Sequence, residues 1–255
     1  MQNRILIFFL LLLAVACSRC GRVGPQVKLK QGIDPDIVLV NIGHDDRGSI
    51  ARIIRAVDSC QPAVIVVNAV FKGRKSAGED SLLAQALRAV PNDILIYDIE
   101  EDGDTLMPYS VFSREASVTA LTDFEFDGRL VSRFTPLRKK NGIETELLPL
   151  AVVKKWKPGI RLSLRPNQKI DVVYQYTAGQ FNTLTGELFT EPGVEKNLLK
   201  GKVVILGFLG PGKEDMKRTP LRLVMNPEPP DDVPDTYGTI ILANQVRTLL
   251  DYEKK

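Results

Sequence analysis

Three short apolar runs, residues 36–42 (DIVLVNI), 62–68 (PAVIVVN) and 93–99 (DILIYDI), are separated by two segments of helical period. The first segment, residues 49–59, sets Ile50, Ile53, Ile54 and Val57 three and four positions apart. The second, residues 79–90, carries Leu82, Leu83, Ala86 and Leu87 on its inward side. Continuous runs of β-branched residues without a polar alternation are what strands buried on both faces require. The order β-α-β-α-β therefore predicts a parallel sheet with right-handed crossovers, which few architectures accommodate.

A fourth run of this type, Gly201-Lys202-Val203-Val204-Ile205-Leu206-Gly207, predicts a last central strand at residues 203–206. It opens into a polar loop, residues 208–218, and a helix over residues 240–250 follows, burying Ile241, Val246, Leu249 and Leu250 on one face. Residues 118–126 and 130–137 flank Asp127-Gly128, a strong hairpin signal, so an antiparallel pair is expected there. Residues 146–156 read as a helix and residues 170–176 (IDVVYQY) as a further strand. The predicted fold is α/β: a mainly parallel sheet with helices on both faces and an antiparallel hairpin insertion. Ligands of such sheets bind outside the carboxyl ends of the strands. That rule selects Asn41, His44 and Asp45 after the first strand, Asn68 after the second, and Asp215 and Thr219 after the last.

The amino terminus reads as an export signal. Arg4 precedes an apolar run from Ile5 to Ala16, well short of the roughly 20 residues of a membrane-spanning helix. Leu13-Ala14-Val15-Ala16-Cys17 resembles a lipoprotein signal, with Ala14 where leucine is usual. On that reading residues 1–16 are a signal peptide, Cys17 is lipidated, residues 17–34 are a linker to the anchor and residues 35–255 are the folded domain. An uncleaved short membrane anchor is the other reading. Either places the domain in the cell envelope, facing the periplasm or the exterior. Cys20 and Cys60 could pair in an exported chain or remain idle thiols. Charge is balanced, with 34 Lys and Arg against 31 Asp and Glu and no basic arm, which argues against nucleic acid.

Several motifs stop short of chemistry. Gly207-Phe208-Leu209-Gly210-Pro211-Gly212-Lys213 lacks the Ser or Thr and the helix of a phosphate loop. Asp98 to Asp104 begins like a calcium loop, but its twelfth position is Tyr109. Cys17-x-x-Cys20 has no second ligand pair, and His44 is the only histidine. No Gly-x-Ser-x-Gly elbow is present and no carboxylate pair can be assigned from sequence, so no catalytic residue, metal or cofactor is expected. Asp46 or Ser49 is a natural cap for the helix that follows.

The order of blocks resembles the CHASE2 domains, extracytoplasmic sensor modules of bacterial receptors. The resemblance rests on residues 61–71 (QPAVIVVNAVF), residues 80–87 (DSLLAQAL) and the hairpin at residues 125–133 (EFDGRLVSR). It continues through Gly201 to Gly207, Asp215, Thr219-Pro220 and residues 238–244 (GTIILAN), so that it spans about residues 36 to 250. Two positions depart from it: Asn68 stands where an acidic residue is usual and Leu242 where a histidine is usual. The resemblance implies a non-catalytic sensory domain for an unknown small ligand. Family members usually continue into transmembrane helices and a kinase or cyclase, which this sequence does not carry, so a membrane-bound kinase or cyclase is the expected partner. The alternative is a structural or assembly lipoprotein of the envelope that binds a protein and no small molecule.

Overall fold

A computed structural model describes residues 26–102, 105–109, 111–189, 196–221 and 233–252. The expected signal peptide, Cys17 and Cys20 lie outside these residues. Six strands form the central sheet: β1 (Ile37–Asn41), β2 (Val64–Asn68), β3 (Asp93–Asp102), β4 (Thr119–Leu121), β5 (Asn182–Thr185) and β6 (Val203–Gly207). Their order is β5-β1-β6-β2-β3-β4, every pair parallel. The far end of β3 also pairs antiparallel with Thr105–Tyr109, so residues 98–102 of the calcium-like segment are strand.

Among the described residues four longer helices cover the sheet: α1 (Arg47–Asp58), α2 (Ala77–Ala89), α3 (Leu148–Trp156) and α4 (Gly238–Tyr252). Successive side chains of a strand point to opposite faces, and the core divides accordingly. Val38, Val40, Ile65, Val67, Val204 and Leu206 pack with Ile50, Ile54, Leu83 and Leu87 of α1 and α2. Ile37, Leu39, Val64, Val66, Val203 and Ile205 pack with Leu150, Val153, Ile241 and Val246 of α3 and α4. The apolar runs are thus uninterrupted because both faces are covered. Leu82, expected inward on α2, is exposed instead. Asp46 caps α1, its carboxylate accepting from the Ser49 amide at 2.7 Å. No helix among the described residues is long and apolar enough to cross a membrane.

Three further expectations change. The segment at residues 118–126 is not one hairpin strand. Thr119–Leu121 joins the sheet edge beside Leu95 to Tyr97, and only Glu125–Asp127 pairs with Leu130–Phe134 around the turn. Ala120 and Leu121 are adjacent and both buried, as an element covered on two sides requires. Residues 170–176 do not enter the central sheet either. Ile170–Asp171 pairs with the hairpin and Val173–Tyr174 with Gln26–Val27, while α4 supplies further partners. Thr248 Oγ1 accepts from the Val173 amide at 2.9 Å, and Asn244 Oδ1 accepts from the amides of Gln175 and Tyr176 at 2.8 and 3.1 Å. Asn244 Nδ2 donates to the carbonyls of Tyr176 and Ile240, both at 3.0 Å.

The third change concerns α4 itself, which is buried from Gly238 through Leu249 rather than on one face. Its polar residues survive burial because each has a partner. Gln245 donates to the Asp123 carbonyl, and Arg247 forms a buried ion pair with Asp34 that also reaches Asp36 at 2.9 Å. A second buried pair, Arg47 with Asp80, joins the first turns of α1 and α2, and the guanidinium lies against the rings of Phe71 and Phe112.

Replacing Asn244 by the near-isosteric leucine orphans two amides and a carbonyl of residues 175 and 176. At about 1–3 kcal/mol for each buried unsatisfied group, Asn244→Leu is expected to lose about 3 kcal/mol or more. The measurement is the urea midpoint, with the slope unchanged.

Candidate functional site

The carboxyl ends of β1, β6 and β2 lie side by side, with Gly207 in register with Asn41 on one side and Asn68 on the other. β1 and β2 lead into α1 and α2 on one face of the sheet, whereas the chain leaving β6 returns as α4 on the other. Diverging connections of this kind open a crevice above the strand ends.

Close packing shapes that crevice. A Cβ on Gly207 would lie 2.3 Å from Thr239 Oγ1, so only glycine lets α4 seat on the end of β6. The Thr239 hydroxyl donates to the Phe208 carbonyl at 3.3 Å and accepts from Asn68 Nδ2 at 3.2 Å. Asp215 then comes back to the start of α4. Its Oδ2 and its own carbonyl each accept from the Gly238 amide at 3.1 Å, and a Cβ on Gly238 would lie 2.6 Å from Oδ2. A carboxylate at a helix amino terminus is favoured by the unsatisfied amides and the dipole there.

Between these elements is a cavity of ≈ 310 Å³. Asn68, Thr122 and Asp215 are its polar side chains, and Phe208, Phe124 and Ile96 contribute apolar wall. Burial raises the Asp215 carboxyl above the usual aspartate range, with Lys217 and the Gly238 amide acting in the opposite direction. Two other clefts, of ≈ 330 and ≈ 630 Å³, lie toward the other end of α4. Of the charged groups that line them, Lys30 pairs with Asp251, Arg247 with Asp36 and Lys169 with Glu125. The smaller cavity at the strand ends is the stronger candidate because it lies in the crevice at the carboxyl ends of the strands, with Asp215 of its wall ion-paired to Lys217 at 3.7 Å.

The sequence-selected residues separate here. Asn68 and Asp215 meet on the cavity. Asn41 works next to it as a loop clamp: Nδ2 donates to the Gly210 carbonyl at 2.8 Å, and Oδ1 accepts from the amides of Gly43 and Leu209. His44 is exposed outside the wall, its ring 5.1 Å from Phe208 and Nε2 3.8 Å from Glu214. Asp45 turns toward Gly186 instead, and burial, then Asp46 and Glu187, raise its carboxyl. Thr219 is fully buried away from the cavity, its hydroxyl donating to Asp235 at 2.9 Å and lying 2.9 Å from that of Thr236. Thr122 and Phe124 were missed because the sequence reading placed them inside one long strand, whereas they follow the carboxyl end of β4. Among the described residues no three His, Cys, Asp or Glu side chains converge to hold a metal.

A family model described as the CHASE2 domain matches residues 29–255. The chain belongs to the CHASE2 family. CHASE2 is an extracellular sensor domain family. Comparison with curated proteins finds no match, and comparison with solved structures finds none. In this CHASE2 domain the two departures differ in consequence. Asn68 lines the cavity, so the amide stands in the crevice where an acid is usual. Leu242 is 2% exposed and packed in the core rather than on the crevice.

A carboxyl with a raised folded pKa holds protons in the native state that the unfolded chain has released, so its contribution to stability falls as pH rises. Asp215→Asn removes that ionisation. The stability difference is expected to shift in the variant's favour as pH climbs from the ordinary value of 3.8 through the raised folded value, then to level off. Urea midpoints of both proteins across that range provide the check.

Proposed function

We propose that this CHASE2 domain is a non-catalytic, ligand-binding sensor, exported and held at the membrane by a lipid on Cys17. The observation that carries the reading is the cavity at the strand ends, one wall of which is the capped amino terminus of α4. It joins one carboxylate to an amide and a hydroxyl, with no histidine or second acid beside them among the described wall residues, which suits binding better than proton transfer.

Helix α4 gives the cavity a route outward. Its 15 residues span about 22 Å at ~1.5 Å per residue. The far end holds the end of the expected linker and the residues just after it: Arg247 pairs with Asp34 and Asp36, and Lys30 reaches Asp251 at 3.6 Å. A ligand that engages Asp215 alters the cap of α4, and the other end of that helix is tied to the segment leading toward the anchor. Occupancy would bias two arrangements of the loop and helix, and a membrane-bound kinase or cyclase would read the difference.

Crosslinking the full-length protein in its native membranes, followed by affinity capture and mass spectrometry, tests the assignment. A kinase, cyclase or other transducer in stoichiometric amount is expected. Recovery of envelope assembly proteins alone, or of nothing, would reject signalling in favour of a structural role.

A further inference from the structure

We infer that the cavity at the carboxyl ends of the strands takes a small ligand bearing an ammonium group. The inference rests on the reading of this cavity as a ligand site and adds the chemistry of the ligand.

Among the described residues, Asp215 is the only charged side chain in the wall. Its Oδ2 accepts from Gly238, while Oδ1 is ion-paired with Lys217 at 3.7 Å without a direct hydrogen bond. Lys217 does not line the cavity. A carboxylate has about four lone-pair sites, so acceptor capacity remains on Asp215.

Asn68 is oriented by its neighbour. The Thr239 hydroxyl has one proton and gives it to the Phe208 carbonyl, so it can only accept from Asn68, which must present Nδ2. Oδ1 of Asn68 is thereby left as an acceptor on a side chain that lines the cavity. Thr122 adds a hydroxyl oxygen. One carboxylate, one amide oxygen and one hydroxyl match the three donors of an ammonium group, and the faces of Phe208 and Phe124 also attract a cation.

Other ligand classes fit less well. An anion would meet Asp215 with no cation among the described wall residues to offset it. Capping of α4 alone explains the Gly238 contact but not the cavity beside the carboxylate. At ≈ 310 Å³ the space is at the low end of ligand pockets, the size for a short diamine or amino alcohol.

The test is calorimetry and thermal unfolding of the full-length protein with putrescine, ethanolamine and 1,3-diaminopropane at constant ionic strength. The neutral 1,4-butanediol and the anionic succinate serve as matched probes. At least one amine is expected to bind and to raise the Tm, with both diol and succinate inert. Asp215→Asn, which keeps an acceptor for the Gly238 amide, is expected to weaken that amine at least about tenfold, the loss of a charge-assisted bond. Glu214→Gln, an exposed carboxylate outside the wall, should leave it unchanged. Binding of the diol or succinate with the amines inert overturns the ligand class and leaves the cavity standing as a site. Amine binding that survives Asp215→Asn overturns its placement here. If none of the five probes binds, the ligand class falls. A cavity-filling Ala69→Trp that still folds and still brings down a stoichiometric transducer would then remove the cavity from the sensor reading as well.

Discussion

The contact between Gly207 and Thr239 is the one on which the site depends. It seats the amino terminus of α4 directly on the last residue of β6 with no side chain between them. Asn41 and Asn68, on the flanking strands, hold what approaches from either side: the loop at residues 209–210 and the Thr239 hydroxyl. Once α4 is seated, Asp215 can return across the 23 residues that separate it from Gly238 and cap the helix. The cavity is the space left between this cap and the ends of the other strands. A larger residue at position 207 would lift α4 and change the cap, the cavity and the core face together.

Helix α4 is unusual in being enclosed on all sides while carrying polar residues at every turn. Enclosure by apolar neighbours alone would have been simpler, since a buried ion pair seldom exceeds in stability the hydrophobic residues it displaces. What the polar residues provide is attachment of particular chain segments. Asn244 and Thr248 act as a strand edge for residues 173–176, and Arg247 fastens Asp34 and Asp36. A hydrophobic helix would hold these segments only by area, without register. With them, the two ends of α4 have different jobs, one bordering the cavity and the other gripping the start of the domain.

Much of the architecture was legible because two-sided burial leaves a local trace. β1, β2, β3 and β6 each announce themselves as apolar runs, and the helices between them by their period. The polar edge strand β5 left no such trace, since Asn182–Thr185 is covered only in part. The residues at 170–176 alternate like a strand, yet four of their backbone groups are satisfied by side chains about seventy positions away, which nothing local announces. In the site, Asp215 and Asn68 were legible from their position after a buried strand. Proximity in sequence was a poorer guide for His44 and Asp45, because the direction each takes is set by how Asn41 pins the neighbouring loop. Thr122 and Phe124 required knowing that β4 ends at Leu121.

Transmission along α4 from the cavity to the amino-terminal segment is the central claim, and native-state hydrogen exchange reads it most directly. The amides of Lys30 and Asp34 donate to the carbonyls of Gln175 and Gln180, and the Ile65 amide in β2 provides an internal reference. Removing the cap of α4 with Asp215→Ala should lower the protection of Lys30 and Asp34 relative to Ile65, although both lie at the opposite end of the helix. Unchanged protection at Lys30 and Asp34, with loss confined to the first turn of α4, would contradict the account.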